Sequence, residues 1–297
     1  MKTETVNDGQ FVPPSIRDFA IDAVKMALQQ ITTGPDGFVV NDALHYRRQR
    51  NSKITACVMN SANFISKRFQ ANLAKIPGCR GETKILDQGI DGLITSEFCG
   101  YGYRIKDKDD LLKVLHAYID DNKFKQETVY TFFPMFYGMY VMGEGYDISH
   151  LPQRVHHLFE SKHVVRQFRL GVEFETGNVA SSFRAINKLF TLFQSDKIDA
   201  GVFITSIDKA SSATRIWPVT NRNGSFQELK QRNYTSQVSL PLICIGFAPD
   251  GFNKQAPFLG RTGGLYTLQS TGSRDHTGAY DIYVGEEGEE ILRPVGI

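Results

Sequence analysis

Two glutamates, Glu173 and Glu175, stand two residues apart in the run Arg169-Leu-Gly-Val-Glu-Phe-Glu175. Apolar and polar positions alternate there, as in a strand. Period-two geometry puts both carboxylates on one face. Clustered carboxylates repel each other and are costly to desolvate, so the pair needs a cation or solvent. Hard oxygen ligands suit Mg²⁺, which keeps several waters and bridges to phosphates. Two solvated glutamates on an edge strand would show the same spacing. The flanking residues favour the metal. Leu170, Val172 and Phe174 are apolar, Gly177-Asn178 ends the strand, and a helix opens at Ala180-Ser-Ser. The free N–H groups of a helix start bind anions. Metal-binding acids beside such an end suit the gripping and cutting of a phosphate backbone.

A metal site of this kind wants one more acid. Asp91 is the first candidate: Asp87-Gln-Gly-Ile-Asp-Gly sets it beside glycines in an apolar strand, where backbone can approach a ligand closely. Asp147, in Gly143-Glu-Gly-Tyr-Asp-Ile, is the alternative and lies closer in sequence to Glu173. Either also fits a turn in which the aspartate bonds its own backbone.

The elements that must carry these acids alternate. Ser15 to Ile31 has helical spacing, with Ser15 as its N-cap, after a loose N-terminal arm ending in Pro13-Pro14. Ile54 to Ile76 is predicted as a second helix, stopped by Pro77-Gly78. Lys84 to Ile94 reads as a strand passing through a tight turn, and Asp110 to Asp121 as a helix. Val129 to Met142 is an aromatic and methionine stripe best suited to packing. Ala180 to Gln194 is an amphipathic helix, Ile198 to Ile207 a buried strand, Ser225 to Arg232 a short helix and Leu240 to Phe247 another buried strand. Strand, helix, strand, helix, strand implies an α/β core with a mixed sheet. The tail beyond Gly260 is rich in Gly, Thr and Ser.

Bulk composition adds limits. With 297 residues and 41% hydrophobic residues the chain can bury a large core. A net charge of +2 gives no global basic signature, so a nucleic-acid face must come from local clustering. Arg47, Arg48, Arg50 and Lys53 are one such cluster, fitting phosphate contact or a solvated face. Cys57, Cys79, Cys99 and Cys244 lack metal-binding spacing and read as reduced thiols. No apolar signal segment opens the chain, and no run reaches the roughly 18 apolar residues of a membrane span, which points to a cytoplasmic protein.

Gly171-Val-Glu-Phe-Glu-Thr-Gly-Asn-Val-Ala-Ser-Ser-Phe-Arg-Ala-Ile-Asn-Lys-Leu189 resembles the active-site segment of the BamHI-like type II restriction endonucleases, within the PD-(D/E)XK nuclease superfamily. The likeness continues through Lys197-Ile-Asp-Ala-Gly-Val, Val219-Thr-Asn and Phe226-Gln-Glu-Leu229 to Ile243-Cys-Ile-Gly-Phe-Ala248, covering about residues 168 to 260. It implies a restriction-endonuclease-like α/β core, a central mixed β-sheet flanked by helices, in one domain over residues 1–297. Residues 98–165 would then be an insertion and 261–297 a C-terminal arm or subdomain. It implies Glu173 as a metal ligand and Glu175, standing where most relatives carry lysine, as general base or second metal-site acid. Asp91 lies in a setting similar to the metal-binding aspartate of Mrr-like nucleases. A further upstream glutamate of the family has only Glu82 as a weak match.

Asn178, Ser181 and Arg184 fall where the family reaches the major groove or nearby phosphates. Asn and Arg can each read a base edge with two hydrogen bonds, and Asn178 can cap the helix as well. The helix from Ala180 to Gln194 resembles one that helps form the family's dimer, and a homodimer suits cutting two strands with twofold symmetry. Trp217-Pro218 replaces an Asp-Arg pair with which the family reads bases, implying a different recognition sequence. The expected activity is thus Mg²⁺-dependent hydrolysis of double-stranded DNA, leaving 5′-phosphate ends. A nicking or repair nuclease and a catalytically silent DNA-binding protein are the rivals. A glycosidase is not, because carboxylates two apart on one strand cannot flank a sugar bond.

Overall fold

The computed structural model describes residues 1–6, 9–176, 179–207, 226, 229 and 238–296. The expected Ser225–Arg232 helix, apart from Phe226 and Leu229, and the Trp217-Pro218 and Val219-Thr-Asn positions lie outside these residues, as does Asn178.

In chain order the strands are β1 (Lys2–Val6), β2 (Val39–Val40), β3 (His45–Arg48), β4 (Ile54–Cys57), β5 (Cys79–Arg80), β6 (Thr83–Ile85) and β7 (Gln88–Ile90). Next come β8 (Gly92–Ile105), β9 (Phe159–Phe174), β10 (Ala200–Ser206), β11 (Leu242–Ala248), β12 (Gly251–Phe252), β13 (Phe258–Leu259) and β14 (Leu265–Tyr266). The last are β15 (Gln269–Arg274), β16 (Tyr280–Val284) and β17 (Glu290–Pro294). The α-helices are α1 (Pro14–Gln29), α2 (Ala62–Leu73), α3 (Leu111–Asp121), α4 (Thr128–Tyr137) and α5 (Val179–Gln194).

The central sheet has the order β1-β11-β10-β9-β8-β5. β10 runs parallel to both neighbours, while β8 and β9 form a long antiparallel ribbon from Gly92↔Val172 to Ile105↔Phe159. This is the mixed sheet that the alternation of elements anticipated. Side chains alternate between its faces. Leu170, Val172, Val202, Ile204, Ile243 and Ile245 join α1 and α2 in one core, whereas Phe203, Leu242 and Cys244 join Ile186, Leu189 and Leu192 of α5 in another. Helices therefore cover both faces. Each fully buried Leu or Ile side chain stabilises the fold by about 1.5–3 kcal/mol. Because Leu170, Val172 and Phe174 point into the first core, Gly171 and Glu173 must face α5.

The N-terminal residues are no loose arm. Lys2–Val6 is the edge strand β1, antiparallel to β11 from Lys2↔Ala248 to Val6↔Cys244. Its polar outer row hid it: an edge strand gains its order from backbone pairing, which polar residues permit. A second correction concerns residues 54 to 76. Ile54–Cys57 pairs with His45–Arg48, and the helix starts only at Ala62, where Ser61 Oγ accepts the Asn63 N–H. The β-branched Ile54 and Thr55 suit that strand. At the start of α1 the cap position is Pro13 rather than Ser15, with Pro14 in the first turn.

The ends of β8 and β9 project from the sheet and are joined by residues 106–158, which carry α3 and α4. The aromatic stripe packs as expected, with Phe132, Met135, Phe136, Met139 and Tyr140 buried. This segment lies tight on the ribbon: a Cβ on Gly102 would fall 2.3 Å from Gly145 Cα. β15, β16 and β17 form a meander that continues through β3 to β4. Arg47 and Arg48 are held there by Glu289, Asp275 and Glu290, so both face intramolecular acids. No disulfide joins the four cysteines, and no helix among the described residues is long and apolar enough to cross a membrane.

Candidate active site

Three elements meet at the end of β9. The ribbon register sets Gly92 opposite Val172, so Asp91, just ahead of β8, falls beside the last residues of β9. Its carboxylate is locked there: Oδ2 accepts the Phe174 backbone N–H at 2.9 Å and Oδ1 accepts Gln70 Nε2, from α2, at 2.7 Å. Glu173 is 4% exposed. Its Oε1 lies 2.6 Å from Lys188 Nζ on α5, a contact of charges without hydrogen-bond alignment. The same ammonium donates to the Gly89 carbonyl at 2.7 Å, on β7. Glu175 follows on the strand's continuation, half buried, its N–H donated to Ile204 O at 2.8 Å.

The electrostatics fit this packing. Desolvation pushes the Glu173 carboxyl up to about 7, and the charges of Asp91 and Glu175 push the same way, against the pull of Lys188. Desolvation is the largest cause because a buried carboxylate loses its water before it gains partners. Asp91, Glu173 and Glu175 are therefore brought within charge-interaction range. They are not gathered on one point: among the described residues no three Asp, Glu, His or Cys groups form a ready coordination set. Their kind still suits a hard divalent cation, being carboxylate oxygens throughout. Glu173 Oε1 is a buried carboxylate oxygen whose neighbour is the Lys188 ammonium, a place that a divalent cation could take. Asp91 and Glu173, with Glu175 behind them, are the residues able to hold one.

Asp147, the alternative third acid, sits elsewhere. It lies in the 106–158 segment, where Ser149 Oγ donates to its Oδ2, its N–H donates to Phe11 O at 2.8 Å and Tyr140 donates to its carbonyl at 2.7 Å. Glu82 is exposed between β5 and β6 and is not among the charges acting on Glu173. On α5, Arg184 is exposed and reaches Ser181 Oγ at 3.1 Å; Ser181 is half buried. These two lie one helical turn apart on the helix that also carries Lys188, four residues beyond Arg184. Two partners were missed from sequence. Lys188 stands inside the Asn187-Lys188-Leu189 run, where helical spacing already put it on the Arg184 face. Gln70 carried no such signal, because its reach to Asp91 exists only once α2 packs on the sheet.

Against known proteins, the family model described as restriction endonuclease BamHI matches residues 1–289. The type II restriction enzyme BamHI of Bacillus amyloliquefaciens is 31% identical over 91 residues, 31% of this chain and 40% of that enzyme. The family match thus extends far beyond the segment whose likeness is legible by eye and takes in the 98–165 segment and most of the C-terminal strands. The chain belongs to the BamHI restriction endonuclease family.

Proposed function

We propose that the protein is a type II site-specific deoxyribonuclease that hydrolyses phosphodiester bonds of double-stranded DNA with Mg²⁺, leaving 5′-phosphate ends, and acts as a homodimer. The observation that carries this is Glu173: a carboxyl buried within charge-interaction range of two other acids, against Lys188 of α5. A divalent cation at these acids supplies Lewis-acid polarisation of a phosphate oxygen and a lowered pKa for water. The rest falls to the chain. Gln70 and the Phe174 N–H hold Asp91 in place. Glu173, in a site with little water, presents a charge that is strongly felt because the surroundings are poorly polarisable. Glu175 accepts the proton of the attacking water as general base.

Ser181 and Arg184, with Asn178 ahead of them, are the proposed DNA contacts. Ser181 and Arg184 share their helix with Lys188, which contacts Glu173, so that helix would hold the duplex while the strand end cuts it. The homodimer supplies a second copy of the site for the second strand. Residues 98–165 we take as an insertion on a single domain spanning 1–297, with 261–297 as a C-terminal subdomain.

The test is a digest of mixed-sequence duplex DNA of known sequence, in Mg²⁺ and in EDTA, with sequencing of the ends. The expected result is a discrete set of Mg²⁺-dependent fragments sharing one short palindrome and bearing 5′ phosphates. Cuts at unrelated sequences, or in one strand only, would contradict the type II assignment.

A further inference from the structure

Lys188 has no role in the chemistry above, yet its ammonium is placed with two partners on different elements. One is Glu173 Oε1 at 2.6 Å, the other the Gly89 carbonyl at 2.7 Å. The lysine is 29% exposed while Glu173 is 6% exposed in its side chain, so the cation sits at the rim with its stem running out along α5. Lysine is a compact, flexible point charge able to move between partners. Glu173 faces this single neighbouring cation against two neighbouring acids.

We infer that Lys188 is the resident counter-ion of the acid cluster, bridging the Glu173 carboxylate and the Gly89 carbonyl until a divalent cation takes Glu173 and leaves the ammonium on Gly89 alone. This rests on the reading of the cluster as a metal site. The physical case is direct. A buried carboxylate left alone is costly, and breaking a buried ion pair by removing one partner strands the other. A lysine in the place of the cation offsets part of that cost in the metal-free protein. It also opposes metal entry, since the incoming ion must take Glu173 from a charge already in contact. The Gly89 carbonyl, already its acceptor at 2.7 Å, keeps the ammonium in place once it releases Glu173. Lys188 is thus a positioning residue: it sets how tightly the site takes a metal and holds the Glu173 carboxyl in place before it does.

The test uses the full-length protein, without DNA, titrated calorimetrically with Mn²⁺ alone in oxygen-free buffer at about pH 8.5, well above the ordinary carboxylate range. Lys188→Met is expected to bind Mn²⁺ about tenfold more tightly than the parent, the scale on which neighbours of metal ligands act. Lys188→Arg, which restores the positive charge, is expected to return toward parental affinity. A lysine with a merely structural role would not tighten binding when removed. Parental affinity in Lys188→Met, or equal tightening in Lys188→Arg, would overturn the inference. Glu173→Gln separates the two levels: it should abolish Mn²⁺ binding at this site, and unchanged binding there would overturn the metal site itself and the inference with it.

Discussion

Glu173→Gln is expected to lower the rate of DNA cleavage by about 10³-fold or more, the scale on which one preorganised electrostatic group acts, while leaving duplex binding within about twofold. The substitution keeps shape and removes only charge. The site is desolvated, so the lost charge is not replaced by solvent. Binding survives because the groove-facing residues proposed on α5 are not altered. The measurement pairs single-turnover cleavage in Mg²⁺ with a mobility-shift titration. Cleavage within tenfold of the parent would remove Glu173 from the chemistry, and joint loss of cutting and binding would signal misfolding instead.

The second large effect is on pH dependence. The Glu173 carboxyl lies at about 7 in the fold against an ordinary 4.5. Below about pH 4.5 folded and unfolded chains are both protonated here, and no penalty arises. Between that pH and about 7 the unfolded chain gives up the proton while the folded one retains it. Stability therefore falls as pH rises across this window and is level above it. A tenfold change in a proton equilibrium is worth about 1.4 kcal/mol, so the loss across the window is about 3 kcal/mol. Denaturant unfolding in EDTA across the window checks this, with Glu173→Gln, which cannot titrate, expected to lack the fall. A divalent cation binds the ionised form, so at Mg²⁺ well below saturation cleavage should rise about tenfold per pH unit below 7 and level above it. An activity profile flat from pH 5.5 to 8 at that subsaturating Mg²⁺ would contradict the assignment of Glu173.

The site was legible in sequence to the extent that it is local. Glu173 and Glu175 declare themselves through strand alternation, and α5 through its apolar spacing and the break at Gly177-Asn178. Asp91 was legible through its neighbouring glycines, and a Cβ on Gly92 would fall 2.5 Å from Leu73 Cδ2, so the chain does pack closely there. Gln70 was not, since its bond to Asp91 joins residues on elements whose packing the sequence does not spell out. Lys188 lay in plain view, but its partner was a residue fifteen positions back that only the packing of α5 on β9 brings near. The N-terminal strand and Ile54–Cys57 escaped for a related reason: short strands take their order from partners distant in sequence, and local propensity says little about them.

The most direct test of the central claim is a crystal of the protein with duplex DNA and Mn²⁺, read by anomalous scattering. An anomalous peak against the Asp91 and Glu173 carboxylates, lost in Glu173→Gln, is the expected result. A peak held by other residues, with these acids still clear of metal and the DNA cut, would contradict it.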